Sequence, residues 1–290
     1  MKTITIAEIG INYAHGTDKS KFVDNAKKLI DAASLAGFSY VKLQKRNPDV
    51  CVPEEQKSKM KKVPWRKEET TYLQYKKDIE LSYEDYVEIS TYAHNKGLGM
   101  FASVWDKDSV DFMKVFHTFY SDNSVKVIMK IPSALITDIE LIKYARVNCD
   151  ILLMSTGMSN EKEIEKAVEA GKPDVLFHTN SSYPSPVEEL NLRYILHLKK
   201  KYPSIAIGWS GHEYGLTTTF AAVALGATWI ERHVTTDRML WGSDQVASVE
   251  PIGQFKLIKG IKDVEKALGI KGPRCVLESE LIKRKSLRGE

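Results

Sequence analysis

Cysteine is scarce in this chain: Cys51, Cys149 and Cys275 are the only three in 290 residues. So few, so widely spaced, argue against a disulfide-built scaffold and offer no paired-thiolate metal site. They read as reduced thiols in a cytoplasmic protein, with Cys149, just before an apolar strand, a small buried residue. Long apolar runs are missing too, since nothing approaches the ~20 residues that span a bilayer. Met1-Lys2-Thr3-Ile4-Thr5-Ile6 passes straight into strand-like sequence without signal-peptide character, so no export and no membrane association are expected. One-sided charge is absent: 42 Lys and Arg against 38 Asp and Glu leave only +4. That balance, without aromatic-interleaved basic segments, argues against a nucleic-acid partner. The basic runs Lys57–Lys67, Lys199–Lys201 and Lys283–Arg288 read as solvated helix faces and a polar tail, the first beside an active-site mouth. Two catalytic signatures are also lacking, the Gly-x-Ser-x-Gly elbow and the glycine-rich phosphate loop.

What is present is a repeated strand that turns polar at its far end. Ile4-Thr5-Ile6-Ala7 runs into Glu8, Val41-Lys42-Leu43 into Gln44, and Gly99-Met100-Phe101-Ala102 into Ser103. Val127-Ile128-Met129-Lys130 leads to Ser133, Ile151-Leu152-Leu153-Met154 to Ser155 and Thr156, and Val175-Leu176-Phe177 to His178. Ile205-Ala206-Ile207 precedes Ser210 and His212, and Trp229-Ile230 precedes Glu231 and His233. Buried parallel strands are apolar throughout, so polar ends need a reason. A closed barrel supplies one, because all its strand ends open onto the catalytic face. Helical periodicity fills the intervals: Ser20–Ala36, Ser82–Gly97, Ser159–Gly171, Glu188–Tyr202, Tyr214–Leu225 and Ile252–Leu268, with shorter stretches at Asp108–Phe119 and Asp138–Val147. The alternation predicts an α/β fold, a single-domain (β/α)8 TIM barrel over residues 1–270. Residues 46–81 interrupt the rhythm with Pro48, Pro53, Pro64 and several aromatics, and read as a lid or substrate loop. Residues 271–290 read as a basic C-terminal tail with little structure.

Three constellations carry chemistry. His212 and His233 end the seventh and eighth strands, and two neighbouring imidazoles suit a divalent metal. Lys42 and Lys130 lie inside apolar strands, where an ammonium requires an anionic partner. That partner is either a bound phosphate or carboxylate at the barrel mouth, or Glu8 and Glu231 in a buried ion pair, or both. Ser103, Ser133, Ser155, Ser181 and Ser210, with Thr156, place hydroxyls around the same rim as a possible anion cradle.

Taken together, Ala7-Glu8-Ile9-Gly10-Ile11-Asn12, Val41-Lys42-Leu43-Gln44, Lys130-Ile131-Pro132-Ser133 and Leu153-Met154-Ser155-Thr156-Gly157-Met158 resemble the sialic acid synthases. Tyr183-Pro184, Gly208-Trp209-Ser210-Gly211-His212, Glu231-Arg232-His233-Val234-Thr235 and Gly242-Ser243-Asp244 extend the resemblance over most of the chain. It implies condensation of phosphoenolpyruvate with an N-acylmannosamine-like aldose, giving a nonulosonic acid and phosphate. A different aldose acceptor, or a catalytically silent sugar- or anion-binding barrel, is the alternative. The resemblance further implies a divalent metal, manganese or magnesium, on His212 and His233. Lys42, Lys130, Ser103, Ser133, Ser155 and Ser210 would hold phosphoenolpyruvate, Gln44, Tyr183 and Asp244 would face the sugar, and Ser181 would be a further substrate-binding residue. Lys42, Lys130, Asp244 and His233 would be the catalytic set, and a homo-oligomer is expected. Three departures stand out. Leu135 occupies the position of the family's carboxylate in Lys130-Ile131-Pro132-Ser133-Ala134-Leu135, Gly211 that of an acid before the metal-ligand histidine, and the antifreeze-like C-terminal domain is expected to be absent.

Overall fold

The computed structural model describes residues 2–120, 126–269 and 272–289. Eight parallel strands close a barrel: β1 Ile4–Gly10, β2 Tyr40–Lys45, β3 Gly99–Val104, β4 Ile128–Ile131, β5 Ile151–Ser155, β6 Val175–Thr179, β7 Ala206–Gly211 and β8 Trp229–His233. Each pairs with its sequence neighbours and β8 returns to β1, so no edge remains unpaired. The expected fold is therefore the observed one.

Alternation along each strand divides its side chains between two cores. Outward residues such as Val41, Leu43, Met129, Leu152 and Ile230 pack under the helical shell. Inward residues at the lower end form a second cluster, Ile6, Phe101, Ile128, Leu153, Val175, Phe177 and Trp229. Two residues further along, the same inward rows become Glu8, Ser103, Lys130, Ser155, Thr179 and Glu231. The register sets these side by side: Glu8 opposite Lys42 and His233, Ser103 opposite Gln44 and Lys130, and Ser210 opposite Thr179 and Glu231. An apolar plug below and a polar layer above is thus a consequence of pairing plus a two-residue period. Gly208 fits this layering because a Cβ there would lie 2.6 Å from the Phe177 ring.

The helices differ from the periodicity mainly at their starts. Ser82 caps the helix Tyr83–Asn95 in a reciprocal box with Asp85, as its sequence promises. The helix expected from Glu188 begins only at Tyr194, after a single 3-10 turn Val187–Glu189 and a left-handed Asn191 at φ 42°. Residues 46–81 are not an open loop: they hold helices Pro48–Cys51, Glu54–Lys57 and Tyr72–Asp78 and a ribbon pairing Met60–Lys61 with Thr70–Thr71. Trp65 anchors this insertion edge-on against Phe22 and Trp241. The expected unstructured tail contains a helix, Glu278–Arg288, capped by Glu280, while Lys271 and Glu290 lie outside the described residues. Among the described residues no helix is long and apolar enough to cross a membrane.

Candidate active site

The polar layer lines a cavity of about 300 Å³ at the carboxyl ends of the strands. Lys42, Gln44, Ser103, Lys130, Ser133, Ser155, Ser181, Tyr183, Ser210, His212 and His233 all face it. Eleven of the twelve expected site residues therefore meet in one place, drawn from seven of the eight strands or the loops that follow them. Asp244 does not line the cavity; its carboxylate stands behind His233, 3.9 Å from Nδ1.

At the floor four buried ionic side chains alternate in sign. Lys42 Nζ lies 2.7 Å from Glu8 and 3.6 Å from Glu231, and Lys130 Nζ lies 2.7 Å from Glu231. The lysines are thus paired with carboxylates and at the same time face the cavity. Ser210 donates to the same Glu231 oxygen at 3.2 Å, and Gln44 donates to Glu8 at 3.0 Å. Burial disfavours the charge on Lys42, but the Glu231 and Glu8 carboxylates overcome it and raise its pKa. Lys130 has one carboxylate and Lys42 beside it, so burial prevails and lowers it to about 8. Burial would raise Glu231, yet Lys130 and Lys42 hold it below the usual carboxylate range. Two ammoniums against two carboxylates leave this floor without net charge.

One wall is made of hydroxyls. Ser133 Oγ accepts from the Gly157 N–H at 3.1 Å, and a Cβ at Gly157 would collide with the Ser133 and Ser181 oxygens. Glycine is therefore what lets the β4, β5 and β6 loops converge here. Ser155 Oγ is buried without a hydrogen-bond partner among the described residues. Thr156 is turned away, its hydroxyl donating to the Phe177 carbonyl at 3.0 Å. His178, another polar strand end, is likewise structural, bonded to the Leu190 carbonyl at 2.8 Å and packed on Tyr194 and Trp209.

The opposite wall holds the histidines, whose ring centroids are 5.4 Å apart. His212 Nδ1 donates to the Asn180 carbonyl at 2.6 Å, which leaves Nε2 as acceptor for the Tyr183 hydroxyl at 2.9 Å. Burial, with His233 beside it, lowers His212 to about 3, so the ring is neutral. Burial also raises Tyr183, which keeps its proton. His233 Nδ1 is buried and has no hydrogen-bond partner among the described residues. Burial would raise Asp244, but His233, Ser243 and Lys76 hold it below the usual range. A neutral His212 with its tautomer fixed by a carbonyl, and a His233 with a bare buried nitrogen, fit a divalent cation. Among the described residues no three His, Cys, Asp or Glu side chains converge as ligands, so water or substrate would have to complete the shell.

The structure gives physical context to two departures noted in the sequence. Leu135 packs against the hydrophobic core, and Ala134 is the residue that faces the cavity. At Gly211 an added Cβ would lie 2.5 Å from Glu213, whose carboxylate pairs with Arg232 at 3.0 Å. Glu213 thus fills the space beside that position, while Asn180 and Tyr183 orient His212. Sequence reading missed Trp105, Asn180 and Arg46. Trp105 directly follows β3 and lines the cavity, and strand-end counting could have reached it. Asn180 acts through its backbone carbonyl, which no side-chain pattern reveals.

The NeuB family model matches residues 29–272. The chain is 34% identical to the N,N'-diacetyllegionaminic acid synthase of Campylobacter jejuni, covering 92% of this chain and 78% of that protein. It is 32% identical to the N-acetylneuraminate-9-phosphate synthase of Mus musculus, over 91% of this chain and 70% of the other. Its fold matches the crystal structure of an N-acetylneuraminic acid synthetase from Leptospira borgpetersenii in complex with citrate. That match has a TM-score of 0.82 at 29% identity, covering 100% of this chain and 94% of that one.

Proposed function

The chain belongs to the NeuB family and is an enzyme of the sugar-acid synthase type. From that premise we propose that it condenses phosphoenolpyruvate with an N-acylmannosamine-like aldose, releasing phosphate and a sialic-type acid. The observation that carries the reading is the single cavity in which Lys42, Lys130, five serines at strand ends and loops, and the rings of His212 and His233 face one another.

In this reading the two lysines and the serine wall take the carboxylate and phosphate of phosphoenolpyruvate. Its C3 bonds to the aldehyde carbon, whose oxygen becomes a hydroxyl on taking a proton. Water adds its oxygen to C2 and gives up both protons, one to the new alkoxide and one to the phosphate, as the bond from C2 to the bridging phosphate oxygen breaks and the keto acid and phosphate separate. Lys130, at the floor beside Glu231, stabilises charge on the departing phosphate. Gln44 is fixed by Glu8 and orients the sugar, and Tyr183 presents a protonated hydroxyl at the histidine wall. His212 and His233 would hold manganese or magnesium, with Asp244 orienting His233 from behind. A divalent cation bound there supplies a Lewis acid for the aldehyde oxygen. The uncharged floor supports this assignment, because the charge of phosphoenolpyruvate needs more cation than two paired lysines provide.

Phosphate release from phosphoenolpyruvate, followed across a panel of aldoses with manganese or with chelator, tests the proposal. Release that requires both sugar and metal supports it. Binding of phosphoenolpyruvate without release from any sugar would favour the silent barrel.

A further inference from the structure

Each histidine of the cavity wall has one half of a buried ion pair as its chain neighbour. Glu213 follows His212, Arg232 precedes His233, and the Arg232 guanidinium lies 3.0 Å from the Glu213 carboxylate. Alternation along β8 turns Glu231 and His233 into the cavity and Arg232 away from it. Arg232 also donates to the Glu213 carbonyl at 2.7 Å, the Gly215 carbonyl at 3.0 Å and Thr219 Oγ1 at 2.8 Å. Thr218, in the first turn of the helix Thr217–Ala224, donates to the same Glu213 oxygen at 2.6 Å. Glu213 is wholly buried and Arg232 is 1% exposed, so solvent does not screen the pair.

The pair sits where the strand ladder ends. The last register partners of β7 and β8 are Gly211 and Arg232, and His212 lies one residue beyond the end of β7. Past that point Arg232 carries the pairing on, through the side chain and the carbonyl of Glu213. Glu213 reaches back beside Gly211 to do so. An added Cβ at residue 211 would lie 2.5 Å from Glu213 Oε2 and 2.7 Å from Trp209 Nε1. Both of those atoms are buried without a hydrogen-bond partner among the described residues. A carboxylate carried by residue 211, opposite Arg232 in the register, would therefore fall in the space that Glu213 now fills.

We propose that Glu213 and Arg232 are a positioning pair for the metal-binding wall, a clamp outside the barrel that sets the spacing of His212 and His233 inside it. Glu213 supplies, from two residues further on, the carboxylate that position 211 lacks. The inference rests on the metal assignment in the synthase reading above. Inside the cavity the two rings are oriented separately, His212 by the Asn180 carbonyl and Tyr183, and His233 in front of Asp244. The clamp couples their backbones. A metal site tolerates displacements of only about 0.5 Å in its ligands, so a shift between the ends of β7 and β8 would be felt as lost affinity.

The test follows manganese binding to the metal-free protein by loss of the free-ion paramagnetic resonance signal, with melting temperature as the check on folding. The apolar pair E213L/R232M removes the clamp while filling its space, which a buried ion pair often permits without unfolding. Folded E213L/R232M should bind manganese at least fivefold more weakly than the wild type. A smaller loss overturns the clamp, because a pair that only stabilises the fold lowers the melting temperature and leaves the folded protein's affinity alone. E213T should lose affinity by the same factor, and G211D/E213T, with the carboxylate returned from position 211, should regain it. If E213L/R232M does not fold, that contrast decides: rescue supports the clamp and no rescue overturns it. No manganese binding by the wild type overturns the metal assignment instead, and the imidazole NMR signals of the unloaded protein then decide the clamp. Sharp His212 and His233 signals that broaden or split in E213L/R232M support it; unchanged signals overturn it.

Discussion

Lys130 Nζ lies 2.7 Å from Glu231 and 4.4 Å from the centroid of the Phe177 ring, so one ammonium touches both the polar layer and the apolar plug of the barrel. That double contact sets its chemistry. The carboxylate keeps the charge possible, and burial holds the pKa near 8.

Phosphoenolpyruvate binding should therefore weaken as pH rises through Lys130. With a pKa of about 8, the ammonium is mostly charged at pH 7 and mostly neutral at pH 9. KM for phosphoenolpyruvate should rise roughly five- to tenfold between those values, and the rise should vanish in K130M. A flat profile in the wild type would mean that Lys130 does not hold the anion.

Glu8 and Lys42 test the buried pair at the floor. Both are almost fully buried, 2.7 Å apart, so Glu8→Gln leaves an ammonium short of a partner. Unfolding stability should fall by about 3 kcal/mol, measured by urea denaturation. The double variant E8L/K42M should recover much of that loss, although activity stays lost.

Metal dependence should run through His212 and His233. Chelator should abolish phosphate release, and added manganese should restore it. H233A should lose manganese-induced thermal stabilisation while keeping its unloaded melting temperature within a few degrees. Manganese stabilisation that survives H212A/H233A would place the metal elsewhere.

Asp78 should staple the insertion to the barrel. It accepts from Arg66 Nε at 2.6 Å, Trp65 Nε1 at 3.0 Å, Lys19 at 3.1 Å and Gln74 at 3.1 Å. Burial opposes its charge, but the bonds from Arg66, Trp65, Lys19 and Gln74 hold the carboxyl far below the usual range. The stabilisation is then complete above the unfolded carboxyl's pKa near 4 and is lost as pH falls toward the folded one. D78N should cost about 2 kcal/mol at neutral pH, and the difference from wild type should shrink in acid. Limited proteolysis within residues 46–81 should accelerate in parallel.

The barrel and most of its site were legible because one rule governs both. A strand has a period of two, and a closed barrel gives every strand an inside. Knowing that Lys42, Lys130 and Ser155 lie near the carboxyl ends of their strands is enough to place them in one layer. The rule also over-reads, as His178 shows: it lies near the end of β6, yet its ring packs beneath the following helix. Leu135 marks a different limit, since a motif aligns residues without saying which way a short 3-10 turn points them.

Sequence by itself determined the alternation, hence the barrel, the apolar plug and the ring of polar strand ends, because these follow from local period and short-range pairing. Only the tertiary structure decided what those polar groups do to one another. The sharing of Glu231 between two lysines, the Asn180 carbonyl that fixes His212, and the stacking of Arg46 on Trp105 join residues distant along the chain. Their geometry depends on how strands and an aperiodic insertion pack, and burial there sets the charge each group carries.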